Sequence, residues 1–488
     1  MFSDRYCGGF MKKTLLLSAL LITSVFTAFA GHVDTYGIGS KATSMGGAVV
    51  AGIDDPFAVY YNPAAMSNIK QPMLSVGTHL VDPHLTIKQY RVNTSGTLAD
   101  DSFGADGIKD EADLLIVPHM GYVYPINDKL TFGVAFYVPY GLDLKWNADE
   151  NENPAAYNTY HSWYMREVVT PSLSYKVNDK LSIGAGISIG KAKAGNERKR
   201  YVPEKMKNST YMAGVAQANG VSSADAPAVG AALAAAYTEL DGADIDMEYE
   251  DNFNWSYNIG VLYKFTDKLT GGITYRSYSN IDLEGDAEVT PEMAYWKNEN
   301  LDSNTAVDTP DSIQFGLEYK VTPKFKVEAD IVRTFWSRIG SYTVYMDDYL
   351  LQSELDPTLI PGANEEHFER NWKDTWQYRV GAEYLLNDTV ALRAGYYYDP
   401  TVVPEDTFDV LWPDSDKHVF SGGVGLNFGQ VTVDTVVQYI LVKEVTIDSG
   451  SSENLDDSYS RPGMHDADVS AVAGGHIWSF GVTVSYKF

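Results

Sequence analysis

The last eleven residues of the chain, 478–488, alternate strictly between two kinds of side chain. One parity holds only apolar and aromatic residues, and the other holds only small or polar residues. Alternate side chains of a strand point to opposite faces, so this pattern predicts a strand with one apolar face and one polar face. The same segregation recurs at 180–190, 255–265, 376–384 and 389–398.

Charged residues in these segments stay almost entirely on the polar parity, where Leu262 and Tyr397 are the apolar exceptions. Aromatic residues stand at the ends of the greasy parity, as they do where a membrane-spanning strand crosses the two interfaces. A lipid-facing Lys or Arg near the bilayer midplane costs roughly 2–4 kcal/mol, which explains the segregation. The faces therefore predict a transmembrane barrel rather than a large water-soluble β protein.

A short turn motif punctuates the strands and fixes their number. Each instance combines Asn, Thr, Asp, Pro or Gly with flanking apolar residues, a composition that suits tight turns. The six instances are 124–131, 175–182, 263–270, 319–326, 384–391 and 426–432. Much longer connections separate them, at 147–161, 202–245, 287–309, 347–370, 400–415 and 449–474.

Short turns on one side and long loops on the other are typical of outer-membrane barrels. Six turns join twelve strands, and two more are predicted around 71–92 and at 475–488. The expected fold is all-β, a fourteen-stranded antiparallel transmembrane β-barrel. No apolar run after residue 30 reaches the roughly 18 residues of a spanning helix.

The N-terminus predicts a leader for export. Lys12 and Lys13 precede an apolar run over 14–29, and a small-residue cleavage site follows at 28–30. This arrangement indicates a secretory signal peptide within residues 1–30, with 1–10 as an upstream extension and Met11 as an alternative start. A membrane anchor is the alternative. The only cysteine, Cys7, precedes the cleavage site, so the exported chain would carry no disulfide.

Composition excludes several classes of function. A formal net charge of −28 argues against binding to nucleic acid. The segment 186–190 has the spacing of a serine-hydrolase elbow, but it lies inside a predicted strand with Ser188 on the polar face. The nine histidines show no metal-ligand spacing. We therefore expect neither an enzyme nor a bound metal or cofactor.

Several motifs resemble those of the FadL/TodX-type family of outer-membrane transporters for hydrophobic compounds. These are Ser44-Met-Gly-Gly-Ala48, Asp54-Asp-Pro56, Asn62-Pro-Ala64, Val138-Pro-Tyr-Gly-Leu142, Pro310-Asp-Ser312, Trp336-Ser-Arg338 and the stretches 372–384 and 392–396. Taken together these motifs are quite specific. They run over most of residues 31–488 and are weakest in the long loops.

The resemblance implies a hatch over residues 31–70 that plugs a barrel over 71–488. It implies passive inward transport of long-chain fatty acids, or of aromatic hydrocarbons or alkanes by the same mechanism. It further implies a monomer in the outer membrane of a Gram-negative bacterium, with both termini in the periplasm. The expected partners are the ligand, outer-membrane lipid and lipopolysaccharide, and the barrel-assembly machinery, which would read Phe488. A general porin remains an alternative.

Pro139 interrupts an otherwise alternating strand and has no N–H to donate to a β-ladder. With Gly141, which we expect to face inward like Pro139, it predicts a bend that opens the wall sideways; a harmless bulge is the alternative. The resemblance places Asn62, Pro63 and Ala64 against this bend as part of a gate. The same three residues could form only a turn.

Three inward arginines, Arg276, Arg379 and Arg393, are candidate contacts for a ligand carboxylate, because a guanidinium fork suits that group. The alternative is a salt-bridge network that braces barrel and hatch. In the loop 202–245, apolar residues at helical spacing include Val229, Leu233 and Tyr237. The resemblance implies an external capture groove that they form with Met293 and Trp296; simple packing of a loop helix is the alternative.

Overall fold

The computed structural model describes residues 37–94, 103–291, 293–296, 300–350, 363–460 and 467–488. The predicted leader and residues 31–36 lie outside the described residues. Twenty strands form one sheet in which every pairing of neighbours is antiparallel. They are β1 (Met73–Thr94), β2 (Phe103–Ala105), β3 (Ile108–Lys109), β4 (Leu115–Pro125), β5 (Leu130–Lys145), β6 (His161–Lys176), β7 (Leu181–Lys199), β8 (Asp244–Lys264), β9 (Leu269–Arg276), β10 (Asp282–Thr290), β11 (Leu301–Ala306), β12 (Ser312–Thr322), β13 (Phe325–Thr334), β14 (Ser341–Leu350), β15 (Ala363–Glu369), β16 (Thr375–Leu385), β17 (Val390–Asp399), β18 (Lys417–Asn427), β19 (Val431–Ile447) and β20 (Ala467–Lys487).

Fourteen of these strands close into a barrel, which confirms the predicted fold. Their order around the wall is β1, β4, β5, β6, β7, β8, β9, β12, β13, β16, β17, β18, β19 and β20. β20 pairs back onto β1 from Met73 opposite Lys487 to Thr94 opposite Ala467. The other six strands extend the sheet at the end that carries the long loops.

All six predicted short turns are present, and a local hydrogen bond explains their composition. The Asn127 side chain accepts from the N–H groups of Lys129 and Leu130 at 2.9 and 3.0 Å. Asn178 and Asn387 make the same pair of bonds, and the hydroxyl of Thr266 replaces the amide in a fourth turn. An Asn, Asp or Thr side chain that mimics a backbone acceptor stabilises such a turn.

The outer surface of the wall is apolar, as the alternation predicts. On β8, Trp255, Ile259 and Tyr263 are exposed, whereas Leu262 on the opposite parity is 2% exposed. Leu262 packs in one apolar cluster with the N-terminal segment, which explains why a large apolar residue stands on the inward face. Tyr397, the other exception, is also buried and lies 4.8 Å below the guanidinium of Arg379.

The N-terminal segment lies inside the barrel as a hatch, with short helices α1 (Ser40–Ser44) and α2 (Ala58–Tyr61) and a 3₁₀ helix (Pro63–Asn68). Gly46 and Gly47 have φ angles of 67° and 70° and end the helical turn after α1. Three further α-helices lie in the loops: α3 (Ser209–Ala218), α4 (Ala226–Leu240) and α5 (Glu453–Asp457). Single 3₁₀ turns occur at Pro154–Tyr157, Glu204–Lys207, Trp336–Arg338 and Glu405–Thr407. Within the described ranges, no helix combines the length and the apolarity needed to cross a membrane.

Small residues on the inward face let the hatch backbone lie directly on the wall. A Cβ at Gly184 would stand 2.4 Å from the carbonyl carbon of Pro63, and one at Gly260 would stand 2.1 Å from Oδ1 of Asn62. A Cβ at Gly395 would meet the backbone nitrogen of Gly46 at the same short range, 2.1 Å. The polar, glycine-rich parity of the sequence is therefore the docking face for the hatch.

Candidate functional site

A chamber of about 270 Å³ occupies the long-loop end of the lumen. Strands β6, β7, β8, β14 and β15 and the loops after β5, β7, β15, β17 and β19 build most of its wall, with contributions from β10 and β11. Its lining mixes aromatic rings, such as Trp163, Tyr164, Phe368 and Trp412, with several cationic side chains. Concave sites with mostly apolar walls and a few convergent polar groups are typical of small-molecule binding.

Three of the four cations that line the chamber have acidic partners. Arg198 donates to both carboxylate oxygens of Glu366 at 2.5 and 2.6 Å. Lys199 lies 2.8 Å from Asp244. Arg370 donates to Asp409 and to the hydroxyl of Tyr342, so its charge is also neutralised.

Arg200 is the fourth cation, and it differs from the others. Among the residues that the structure describes, no carboxylate oxygen lies within 4.0 Å of its guanidinium, and its buried Nε has no hydrogen-bond partner. Burial and the neighbouring Arg198 lower the pKa of Arg200, against the opposing attraction of Glu366. A guanidinium whose charge is only partly compensated is costly to bury. This group can therefore accept an anion from outside the protein.

A chain of aromatic rings leads from the chamber to the wall. The ring of Trp412 lies 5.0 Å from Trp372, which lies 5.5 Å from Trp336, which lies 6.4 Å from Tyr140. These four rings line a second, small cavity of about 10 Å³. Tyr140 follows Pro139 directly, so the aromatic path ends at the predicted bend.

The wall is irregular at Pro139. The register of β5 against β6 passes from Tyr137 opposite Val168 to Tyr140 opposite Arg166. Two residues of β5, Val138 and Pro139, therefore oppose a single residue of β6, which is a β-bulge. The bulge changes the parity of the strand, so Tyr140 rather than Gly141 takes the inward position. The expectation that Gly141 faces inward is wrong for this reason.

The ladder between β4 and β5 is interrupted beside this bulge. The two strands pair only from Pro125 opposite Thr131 to Met120 opposite Phe136. Farther along, β4 continues to pair with β1 and β5 with β6, and the next bond between the two sides joins Glu111 N–H to Lys145 O at 2.6 Å. Leu115 and Val117 of β4 share an apolar cluster with Val138, Tyr140 and Leu144 of β5. The wall thus has an unpaired, apolar-lined seam.

Comparisons with known proteins agree with this architecture. The sequence profile of the family described as "Outer membrane protein transport protein (OMPP1/FadL/TodX)" matches residues 19–488. This chain belongs to that family. It is 25% identical over 501 aligned positions to the long-chain fatty acid transport protein of Escherichia coli K12, covering 98% of this chain and 99% of that protein.

Solved structures of FadL/TodX-type proteins share the fold. The crystal structure of a Pseudomonas aeruginosa FadL homologue superposes with a TM-score of 0.72 at 18% identity, over 94% of this chain and 100% of that one. The toluene transporter TodX of P. putida superposes with a TM-score of 0.60 at 18% identity, over 93% of this chain and 99% of that one. The protein is therefore an outer-membrane barrel of the FadL/TodX family.

The Asn62-Pro63-Ala64 motif lies on the wall next to the bulge strand, not on Pro139 itself. The Asn62 amide donates to Val50 O at 2.8 Å and to Val261 O of β8 at 3.2 Å. The Ser174 hydroxyl of β6 donates to Ala64 O at 3.0 Å. The hatch reaches β5 through Tyr60, whose ring lies 5.0 Å from that of Tyr137. The role of the motif in a gate stays a prediction.

Two buried carboxylates of β13 hold the hatch by its backbone. Asp330 Oδ2 accepts from the N–H groups of Val49 and Val50 at 2.9 and 3.1 Å. Glu328 Oε1 accepts from Ala51 and Gly52 at 2.6 and 3.1 Å. These bonds satisfy four buried backbone N–H groups, which would be costly to leave unpaired. We call this set of four bonds the hatch latch.

The hatch also carries a buried acid of its own. Asp55 is 6% exposed, and its carboxyl accepts a hydrogen bond from Phe57 N–H at 2.8 Å. Burial raises the pKa of Asp55 to about 7, against the opposing effect of Lys41. Its proton occupancy therefore changes within the neutral range.

The three predicted arginines lie at the hatch end of the lumen and do not line the chamber. Arg276 donates to Tyr60 O at 2.8 Å and stacks on the Tyr60 ring. Arg393 is buried between Glu383 and Asp434, each at 2.6 Å. Arg379 bonds to Gln377 next to the hatch glycines. These contacts favour bracing, and their role as ligand contacts stays a prediction.

The loop residues predicted for capture do come together. α4 packs against the segment 293–296, where Trp296 Nε1 donates to Ala236 O at 2.9 Å and its ring lies 5.9 Å from that of Tyr237. Leu233 and Trp296 are fully buried in this cluster, whereas Val229, Tyr237 and Met293 are half-buried at its edge. Only the latter three remain accessible for a first contact with ligand.

Sequence reasoning did not select Arg200 or the tryptophans of the aromatic path. The signal for Arg200 was available, because 198–200 is a run of three cations in a strongly acidic chain. This signal could not be interpreted from the sequence, because the run lies where a strand ends in a long loop. At that point the alternation of side chains no longer shows which residues face the lumen. Trp336 and Trp372 appeared in the family-like motifs without a role.

Proposed function

We propose that this protein carries long-chain fatty acids, or similar hydrophobic carboxylates, inward across the outer membrane by passive diffusion. The observation that carries this proposal is the unpaired Arg200 in an aromatic chamber. A guanidinium without an acidic partner suits a carboxylate, and the surrounding rings suit an acyl chain. The long-chain fatty acid transport protein of E. coli, to which the chain is similar over its whole length, supports the same ligand class.

Capture begins at the loops. In this proposal α4 and the segment 293–296 present Val229, Tyr237 and Met293 to the acyl chain, over a base formed by Leu233 and Trp296. A partly accessible apolar surface on a rigid helical base binds a flexible chain without reorganising the protein. The ligand then enters the chamber, where its carboxylate meets Arg200.

Exit proceeds sideways through the seam between β4 and β5. The ligand follows the rings of Trp412, Trp372, Trp336 and Tyr140 to Pro139. A fully aqueous route would cost about 0.8 kcal/mol for each CH₂ exposed to water. The apolar seam avoids that cost because the chain passes from protein to bilayer. Asn62, Pro63 and Ala64 act in this scheme by holding the hatch beside the opening.

The same proposal includes the domain boundaries of the chain and the orientation of the barrel in the membrane. Residues 1–30 are removed, 31–70 form the hatch and 71–488 form the barrel. The short turns and both chain ends face the periplasm, and the long loops face lipopolysaccharide and the exterior. The barrel functions as a monomer and is inserted by the barrel-assembly machinery.

Aromatic hydrocarbons are a second candidate ligand class. Three tryptophans line the small cavity, and stacked rings suit an aromatic ligand that carries no charge. This class makes no use of Arg200, which separates the two candidates.

The test is to identify the ligand directly. The barrel is purified in a mild detergent, its co-purified small molecules are identified by mass spectrometry, and uptake of labelled oleate and toluene is compared in a host that lacks its own transporters. The proposal expects fatty acid in the purified barrel and faster uptake of oleate. Toluene uptake alone would support the second candidate, and a large ion conductance would indicate a porin.

A further inference from the structure

The short-turn rim of the barrel is basic, although the chain as a whole has a net charge of −28. The four turn segments 124–131, 175–182, 263–270 and 319–326 hold eight lysines and three aspartates. The two remaining short turns, 385–390 and 427–431, hold no lysine or arginine. Apart from Lys487, whose N–H donates to Gln430 O beside the turn 427–431, the positive charge of the short turns lies in one sector of the rim.

The lysines of this sector are paired with one another across neighbouring hairpins. Lys176 N–H donates to Lys129 O at 2.7 Å, and Lys264 N–H donates to Lys180 O at 2.8 Å. Lys320 N–H donates to Lys268 O at 2.8 Å in the same way. We call these three like-charged couples the lysine rim. Backbone bonds hold each couple side by side, although the two ammonium groups repel.

Among the described residues, carboxylates lie within 4.0 Å of only two of the six lysines of the lysine rim. Lys176 lies 2.7 Å from Asp179, and Lys320 lies 3.9 Å from Glu318. For Lys129, Lys180, Lys264 and Lys268, the described part of the chain offers no carboxylate oxygen within 4.0 Å, and all four side chains are exposed. Lys70 at the hatch exit adds a further cation, and burial together with Lys176 and Lys264 lowers the pKa of Lys70.

The lysine rim stands directly below the lipid-facing belt. Each turn is preceded by an outward Tyr and an outward apolar residue, as at Tyr124 with Ile126 and Tyr263 with Phe265. Ile126 and Phe265 are each 49% exposed, which is a position for acyl chains rather than water. Lysines one to three residues farther along therefore reach the level of the headgroup phosphates, with their stems along the apolar surface.

We propose that the lysine rim binds the headgroups of anionic phospholipids in the adjoining leaflet. A lipid surface fits better than an acidic protein, because the cations follow the curve of the belt and adjoin lipid-facing residues in every turn. The charged sector also lies below the seam between β4 and β5, so the bound lipids would line that side of the barrel.

Native mass spectrometry tests this inference without reference to transport. Folded barrel is mixed with equal amounts of phosphatidylglycerol and phosphatidylethanolamine that carry the same acyl chains, and the bound lipids are counted. The rim variant changes Lys129, Lys180, Lys264 and Lys268 to Gln. A matched control changes Lys88, Lys191, Lys193 and Lys443, four exposed lysines at the long-loop end, to Gln.

We expect the wild type and the control to retain phosphatidylglycerol preferentially, and the rim variant to lose that preference by about tenfold or more. Raising the ionic strength should reduce the wild-type preference, a result that does not depend on folding of any variant. Equal retention of the two lipids by the wild type would overturn the proposal and leave an acidic protein as the partner class. An unchanged preference in the folded rim variant would also overturn it.

Discussion

The arginines at the two ends of the lumen differ in whether acidic side chains pair with them. At the hatch end Arg393 lies between Glu383 and Asp434, so its charge is fully compensated inside the protein. At the chamber end no carboxylate oxygen of the described residues lies within 4.0 Å of Arg200, and its buried Nε has no partner in a chamber lined by aromatic rings. A compensated charge braces the fold, whereas an uncompensated one is available for a ligand.

The backbone shows the same contrast. The hatch end is filled, because wall glycines admit the hatch and the hatch latch satisfies four of its N–H groups. The chamber end is left open, and its aromatic path leads to a seam where β4 and β5 are not hydrogen-bonded. In the proposed route, a ligand leaves sideways through the seam because the hatch occupies the direct route through the barrel.

The largest effect should come from Arg393→Leu. The change leaves Glu383 and Asp434 buried without a cation, which costs about 3–5 kcal/mol of unfolding free energy. Urea unfolding of the barrel in detergent measures it. Lys88→Gln breaks an exposed ion pair with Glu444 and should cost under about 1 kcal/mol. Similar costs for the two variants would contradict the contrast drawn between braced and free charges.

Loss of the hatch latch should have the next largest effect, on the local stability of the hatch. Glu328→Ala removes two buried hydrogen bonds and leaves the N–H groups of Ala51 and Gly52 unpaired, which together costs roughly 3 kcal/mol. Amide hydrogen exchange at residues 49–52 should therefore accelerate by about a hundredfold. Glu444→Ala, on the exposed surface, is the matched control and should change nothing in the hatch. Unaltered exchange in Glu328→Ala would show that other contacts hold the hatch.

Asp55 predicts a pH dependence of hatch stability. Its pKa is raised from 3.8 to about 7 in the folded protein, so the neutral carboxyl is the stabilised form. Hatch stability should be highest below about pH 4 and fall as the pH rises to about 7, with a loss of about 2 kcal/mol between pH 5 and pH 8. Hydrogen exchange of residues 53–61, corrected for intrinsic rates, measures the change. Asp55→Asn should abolish the slope, and a slope that persists in this variant would assign it to another group.

Arg200→Gln should weaken oleate binding by about tenfold or more, because a charge-assisted bond contributes about 1.5–3 kcal/mol. Oleyl alcohol, which has the same chain without the charge, should bind equally well to both forms. Arg379→Gln is the comparison at the hatch end and should leave oleate affinity unchanged. A loss with Arg379→Gln but not with Arg200→Gln would move the carboxylate site to the hatch.

The alternation of apolar and polar residues and the composition of the turns predicted most of the fold from the sequence. They predicted the number of strands for two reasons. Contact with lipid requires apolar residues on the outward face of every strand, and Asn127, Asn178 and Asn387 each form the same local turn. A bend at Pro139 was expected from its missing N–H, with a bulge as the alternative. The effect of the bulge on Gly141 was not expected, since a change of parity depends on which residues of β6 lie opposite.

The chamber could not be predicted from the alternation of residues or from the turn composition. Arg198, Lys199 and Arg200 stand next to one another in sequence, yet only the folded loops give Arg198 the partner Glu366 and leave Arg200 without one. Trp336, Trp372 and Trp412 come from three separate loops. Contacts between loops depend on long-range packing, which neither periodicity nor short motifs encode.

The central claim is that ligand leaves through the seam beside Pro139. Uptake of labelled oleate tests it most directly, in a host without its own transporter that makes equal surface amounts of the wild type and of the double variant Pro139→Ala, Gly141→Val. Both side chains allow a regular strand, so β5 should straighten and the seam should close. We expect oleate uptake to fall several-fold while the barrel remains folded. Unchanged uptake at equal surface amounts would contradict the account.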